Sequence, residues 1–284
     1  MRTELLKHER AVLPGFYGSY PDGRIKTFSR GGSDTTGSLV ARAVNADVYE
    51  NWTDVSGFLM ADPRIVPNAK PISTISYKEL RELSYMGASV LHEDAIYPVR
   101  AVDIPINIRN NNEPDDPGTI ITAEANPKED TIITGIAGNK NFTVVVIYKN
   151  MMTAEKGFVK NILGILEDYD ISFEHLPSGI DTVSVVMSNK KLDGRLDEIL
   201  EGFQRKLLPD TMDVFENMSL IATVGSGMAK RPGVSAKLFT ALAEVGVNIR
   251  MIDQGSSEMN IIVGVENKDF EIAIKAIYNA FVVE

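Results

Sequence analysis

Residues 27–38 read TFSRGGSDTTGS and run directly into LVARAVNA. The stretch gathers Arg30, the glycine pair Gly31 and Gly32, the hydroxyls of Ser33 and Thr35, and the carboxylate of Asp34. Small hydroxyl and carboxylate side chains cap the free N–H groups that open a helix, and a helix N-terminus attracts anions. The chemistry on offer is recognition of an anionic ligand. Taken alone, the stretch reads as well as an ordinary capped loop, because glycine-rich turns are frequent. Other reactive residue types are scarce. The three histidines, His8, His92 and His175, are not spaced as metal ligands, so all three read as structural or surface residues and no metal site is expected. There is no cysteine, which excludes disulfides, thiolate metal sites and cysteine nucleophiles.

The elements that must position this turn belong to a chain of 284 residues, 44% of them hydrophobic, enough for two or three ordinary cores. A net charge of −10 offers no basic face for nucleic acid or an anionic membrane surface, so any phosphate must meet a local site. The opening MRTELLKHERAV lacks an apolar signal region, and no segment reaches the ~18 uninterrupted apolar residues of a membrane span. A cytoplasmic protein is expected.

Residues 1–109 alternate short apolar strands with helix-like runs, as in AVLPGFYG, ADVYENWTDV, YKELRELSYMGASVLH and IPINIRN, the pattern of an α/β sheet domain. The chain opens into AVLPGFYG, read as a strand and glycine turn, with little before it to cover a sheet, so this half reads as the latter part of a domain. NNNEPDDPGT, residues 110–119, is dense in turn formers and marks a boundary.

The second half contains an internal repeat. FTVVVIYKNMMTAEKGFVKNILGILEDYDISFEHLPSGIDTVSVVMS and LIATVGSGMAKRPGVSAKLFTALAEVGVNIRMIDQGSSEMNIIVGV both run strand, loop, glycine, helix, strand, turn, strand. Gly157 and Gly233 open helices with apolar faces: Phe158, Ile162, Ile165 and Leu166 in one, Val234, Leu238, Leu242 and Val245 in the other. Each copy adds a further helix, RLDEILEGFQRKL or DFEIAIKAIYNAF. The first copy continues into TMDVFEN as a fourth strand, whereas the second has no sequence left for one. The orphan apolar segment TIITGIAG, residues 131–138, is the candidate to supply it, so the first unit is expected to be inserted in the second.

These repeats resemble ACT domains, small βαββαβ modules that bind amino acids between modules, and the nested pair resembles the regulatory region of aspartate kinases. VNIRMIDQGSSEMNI carries the match in the second half; TFSRGGSDTTG, NWTDVSGFLMADPRIV and MGASVLH carry it independently in the first. The fold implied is α/β: the C-terminal part of an amino-acid-kinase fold over residues 1–119, a first ferredoxin-like ACT domain over 139–217, and a second made of 131–138 with 218–284. The family's N-terminal phosphate-binding segment has no counterpart here, so the chain alone is expected to be inactive. Ser89 stands where the family usually has a nucleotide-binding lysine.

The resemblance implies transfer of the γ-phosphoryl group of ATP, with Mg2+, to the β-carboxylate of L-aspartate. It assigns Arg30 to a substrate carboxylate, Gly31 and Gly32 to close approach, Ser33 and Asp34 to substrate contact, and Phe16 to the pocket wall. Thr53 and Asp54 match positions at the nucleotide, and Arg64 a phosphate contact or, failing that, a surface ion pair; Asp62–Pro63 reads as a turn. The helix YKELRELSYMG reads as packing. Met152, Glu155, Val159, Glu174, Ser178 and Asp181 are the candidate effector residues, with lysine or threonine as effector and a homodimer or higher oligomer built through the ACT domains. The alternative is a non-catalytic amino-acid-sensing and dimerisation fragment.

Overall fold

The structure is a computed structural model and describes residues 1–28, 31–88, 93–124 and 131–283. Near the N-terminus β1 (Tyr17–Ser19) and β2 (Ile25–Thr27) form a short antiparallel hairpin. The expected strand over AVLPG is instead irregular, and Val12 is fully exposed. Pro14 cannot donate to a ladder, which disfavours a strand there. Helix α1 (Gly32–Val44) follows, then β3 (Tyr49–Thr53) and β4 (Thr74–Ser76), α2 (Tyr77–Tyr85), α3 (Glu93–Arg100), β5 (Ile106–Asn110) and β6 (Thr119–Thr122).

These strands make a mixed four-stranded sheet in the order β3-β5-β6-β4, with β3 parallel to β5, β4 parallel to β6, and β5 antiparallel to β6. Ile75, Ile106, Ile108 and Ile121 are wholly buried, and Leu80 and Leu83 of α2 pack in the same cluster. The residues of β5 alternate between buried and part-exposed, as a strand with one covered face does.

A second sheet, antiparallel throughout, has the order β10-β11-β9-β7-β8. Its two central strands are long: β7 (Gly135–Tyr148) and β9 (Thr211–Val224). Phe142–Tyr148 pairs with β8 (Thr182–Ser188) on one side and with the N-terminal half of β9 on the other. Gly135–Lys140 pairs with Ser219–Val224, which in turn pairs with β11 (Asn260–Glu266), and β11 with β10 (Met251–Asp253). The register shifts around Asn141, whose φ is 70°. Gly138 sits where a Cβ would lie 2.6 Å from the Leu220 carbonyl oxygen and 2.8 Å from the Phe270 ring, so this crossing admits no side chain.

Helices α4 (Phe158–Asp168) and α5 (Leu196–Leu207) cover the first half of this sheet; α6 (Val234–Glu244) and α7 (Phe270–Tyr278) cover the second. Gly157 and Gly233 take φ of 84° and 88° immediately before α4 and α6, a left-handed turn that costs glycine nothing. One strand of the first module differs from expectation. ISFEHLPS, residues 171–178, forms only two isolated bridges, His175 to Val186 and Ser178 to Val183, and Pro177 between them has no N–H to continue a ladder. The two halves of the sheet meet through side chains as well: Arg250 lies over the Phe215 ring at 4.5 Å, and His175 Nδ1 is 2.6 Å from Asp253 Oδ2. Among the described residues no helix is long and apolar enough to cross a membrane.

Candidate nucleotide, substrate and effector sites

The glycine turn opens α1, but without the side-chain cap its residue types predict: Gly31 is the N-cap, and the Thr35 and Thr36 hydroxyls donate back to the Gly31 and Gly32 carbonyls at 3.1 and 2.8 Å. Gly31 has φ 63° and its carbonyl accepts from Thr35 N at 3.0 Å; Gly32 is buried against Phe28 and Phe16, where a Cβ would lie 2.8 Å from the Phe28 Cβ. Ser33 is exposed at the helix start. Asp34 is held from the neighbouring strand: Asn51 Nδ2 donates to its Oδ1 at 3.1 Å and the Tyr49 hydroxyl to its carbonyl at 3.2 Å. Burial raises the Tyr49 phenol, the Asn51 bond opposes the rise, and the Asp34 charge adds to it, so Tyr49 stays a donor. Phe16, at φ 63°, donates its amide to the Thr36 hydroxyl at 3.1 Å and leaves its ring 59% exposed beside the turn. Arg30, like Ser89 and His92, lies outside the described residues.

A cavity of about 660 Å³ opens between the two sheets. Three walls enclose it: Val55–Leu59 with Ala61–Arg64, the end of α2 from Leu83 to Ala88, and Ile136–Asn139 of β7. Thr53 and Asp54 are not in the wall but immediately precede it, with the Thr53 hydroxyl donating to Asp54 Oδ1 at 3.2 Å. Asp62 and Arg64 face each other at the tip of the first wall: Arg64 Nη2 lies 2.6 Å from Asp62 Oδ2, and Nε donates to both carboxylate oxygens at 3.0 and 3.1 Å. This hydrogen bonding holds the Asp62 carboxyl below its usual range. The fork uses Nε and Nη2, and Nη1 makes no hydrogen bond among the described residues. Arg64 thus forms the surface ion pair, and its side chain is otherwise exposed to solvent.

The candidate effector residues divide. Met152, Glu155, Val159 and Ser178 line one cleft of about 310 Å³ at the start of α4, and Asp181 Oδ1 accepts from Met152 N at 3.3 Å. Glu155 is already paired, with Lys149 Nζ at 2.9 Å. Glu174 does not join them. Its side chain is 7% exposed at the junction with the first sheet domain, where it accepts from the Tyr85 hydroxyl and pairs with Lys191 at 2.7 Å. Glu174 starts the short bridged segment and is carried to that junction because Glu174 N donates to Val186 O.

Helix α2, read from sequence as packing, does more. Ser76 and Glu79 form a reciprocal capping box at its start. Glu79 is 1% exposed, and its other oxygen accepts from the Thr134 hydroxyl at 2.7 Å and from Ser226 N at 2.8 Å. Asn260 Nδ2 donates to Glu82 at 2.6 Å, and Tyr85 reaches Glu174. Residues 79, 82 and 85 share one face of the helix, and that face grips the second sheet. The Ser-x-x-Glu spacing foretells the cap; nothing local foretells the partners across the sheet.

Comparison with known proteins agrees at both ends of the chain. Residues 2–110 match the amino acid kinase family and 221–281 an ACT domain. Aspartokinase 3 of Bacillus subtilis is 38% identical over 95% of this chain and 60% of its own length, and an aspartokinase of Mycolicibacterium smegmatis is 32% identical over 99% and 68%. The chain thus spans about two thirds of these relatives at most. The crystal structure of Clostridium acetobutylicum aspartate kinase superposes with a TM-score of 0.91 at 59% identity, over 99% of this chain and 64% of that one. Escherichia coli aspartokinase III, solved with aspartate and ADP, gives 0.74 at 30% identity, over 95% and 60%. With an amino-acid-kinase sheet, paired ACT folds and relatives that run through both, the chain belongs to the aspartate kinase family.

Proposed function

We propose that this chain carries the nucleotide-facing part of an aspartate kinase together with its amino-acid sensor. The reaction read for it moves the γ-phosphoryl group of ATP to the β-carboxylate of L-aspartate. The observation that carries the reading is the 660 Å³ cavity, which collects the Asp62–Arg64 turn and the end of α2 next to Thr53 and Asp54. The Escherichia coli relative was solved with aspartate and ADP, which supports the same ligands here.

The chemistry follows from charge. A carboxylate is already a nucleophile, so the protein must bring two anions together and stabilise charge spread over the transferring oxygens. Arg30, by its place in the turn, would pair with a substrate carboxylate through its planar fork. Asp34 would meet the α-ammonium, oriented by Asn51; Ser33 and the backbone of Gly31 and Gly32 would make the close contacts, with Phe16 as a wall. Arg64 would present its free edge to phosphate, beside Thr53 and Asp54. Mg2+ would arrive with the nucleotide, since that ion keeps several waters and needs only one or two carboxylates besides phosphate; Asp62 stands in the cavity wall paired with Arg64, and Asp54 adjoins that wall.

Regulation is read at the cleft beside α4. The modules are assigned as residues 139–217 and as 131–138 with 218–284, following 1–119 of the kinase part; pairing of Gly135–Gly138 with Ile221–Val224 supports the nested arrangement. A ligand carboxylate would face the N-terminus of α4, and Asp181 would take an ammonium, with lysine or threonine as the ligand. The Escherichia coli enzyme has also been solved with lysine and aspartate. The open apolar side chains Val159, Leu163 and Ile180 favour pairing with a second copy.

Calorimetric titration of the purified protein with MgADP, aspartate, lysine and threonine tests the whole reading. Binding of MgADP that Arg64→Ala weakens is the expected result. No heat from MgADP or aspartate would overturn the kinase assignment, and no heat from lysine or threonine would overturn the sensor.

A further inference from the structure

The Asp62–Arg64 turn is not anchored where its chain neighbours are. Residues 58–72 leave the first sheet as a closed-neck loop, with Ile72 N donating to Phe58 O at 2.8 Å and Met60 N to Lys70 O at 2.9 Å. The tip of that loop is embedded in the second ACT module. Ala61 is 3% exposed and sits with Ile65, Val66 and Ala69 in the apolar cluster built by α6 and α7, among Leu238, Ile274 and Ile277. Ile136 N, on β7, donates to Met60 O at 2.7 Å.

One polar side chain closes this packing. Tyr278, the last residue of α7, is 3% exposed, and its hydroxyl accepts from Lys70 N at 2.8 Å and faces Asn68 O at 3.5 Å. Lys70 Nζ donates in turn to Val282 O at 2.7 Å. A phenylalanine would fill the same space. The phenol adds a bond to the loop backbone, which would otherwise hold a poorly satisfied N–H. On the far side of the same tip stand Asp62 and Arg64, facing the cavity.

We propose that Tyr278 is a positioning residue for the nucleotide site: it ties the loop tip to the second module and so sets where the Arg64 guanidinium points. The inference rests on reading the 660 Å³ cavity as the nucleotide site. It makes the second module a structural wall of that site, so that a shift of α7 reaches Arg64 through a single hydrogen-bonded loop.

The test is a double-mutant cycle on the purified protein, with MgADP as the calorimetric probe and aspartate binding as the control. Tyr278→Phe should weaken MgADP about fivefold, the worth of one lost hydrogen bond, and leave aspartate binding unchanged. In an Arg64→Ala background it should add nothing, because both changes act through one group. A merely structural role would give the same loss in both backgrounds and would overturn the proposal, as would unchanged binding in Tyr278→Phe. If Arg64→Ala leaves MgADP binding intact, or if the wild type binds none, the nucleotide reading fails on its own. Hydrogen exchange then decides the anchoring: faster exchange of the amides from 64 to 70 in Tyr278→Phe supports it, and unchanged exchange overturns it.

Discussion

The Glu79 carboxylate and the Ser226 amide meet at 2.8 Å across the boundary between the kinase sheet and the second ACT module. Among the described residues the Glu79 charge is held by four donors and no cation: Ser76 N and Oγ, Thr134 Oγ1 and Ser226 N. Burial would raise this carboxyl, but the hydrogen bonds outweigh it and leave it below its ordinary 4.5.

Removing the group should therefore cost more than a surface acid would. Glu79→Ala strands two buried backbone N–H groups, and a loss of roughly 2–4 kcal/mol is expected. Glu79→Gln keeps the volume but places an amide where four donors converge, and should lose about half as much. Urea unfolding at pH 7 measures both. A loss within experimental error for Glu79→Ala would show that the crossing contributes nothing.

The same group shapes the acid limb. A carboxylate held below its unfolded value adds stability above pH 4.5, and that stability fades as pH falls through the lower folded-state value. The wild type should lose stability below pH 4.5 more steeply than Glu79→Gln, with the two curves converging toward acid. Parallel curves from pH 5 to pH 3 would contradict this.

At the alkaline end Tyr85 plays the opposite part. Burial, and then the hydrogen bond to Glu174, push its phenol up to about 12. A group raised above its unfolded value stabilises below that value, so its contribution is present below pH 10 and drains away as pH rises toward 12. Tyr85→Phe should lower stability at pH 8 by about 1 kcal/mol and flatten the alkaline loss, leaving the part due to Tyr77, whose phenol is likewise pushed up to about 12 by burial. An unchanged alkaline slope would argue that Tyr85 does not hold Glu174.

On the proposed reading, Asp34→Asn should raise the dissociation constant for aspartate by roughly 10- to 100-fold, the worth of one charged hydrogen bond, with little change in MgADP binding. Asn51→Leu should raise the same constant less, because it only frees the Asp34 carboxylate that Asn51 orients. If Asn51→Leu proved as costly as Asp34→Asn, Asn51 would itself be the ligand.

At the effector cleft, Asp181→Ala should weaken lysine about tenfold. Glu155→Ala should do less, because Lys149 already shares that carboxylate at 2.9 Å. Calorimetry on both variants measures the difference, and the reverse order would move the ammonium to Glu155.

What the residues alone determined about this protein is local and periodic. The glycine pair before Ser33 and Asp34 had to open a helix, the apolar spacing after Gly157 and Gly233 had to give amphipathic helices, and TIITGIAG had to find a partner strand. Runs such as TFSRGGSDTTG and VNIRMIDQGSSEMNI pointed to the family, because short continuous runs can be matched without knowing the fold. What only the tertiary structure decided is every contact made across those runs. Glu174 reads as an effector ligand in sequence and stands against Tyr85 at the end of α2 in space, since the short segment that bears it bridges to β8. The helix YKELRELSYMG reads as packing, yet its Glu79 reaches Thr134 and Ser226, 55 and 147 positions away. The loop that bears Arg64 reads as part of the kinase sheet and is held by Tyr278 in α7. A carboxylate or hydroxyl states in sequence that it needs a partner, and only the packing of the two sheets says which one it has.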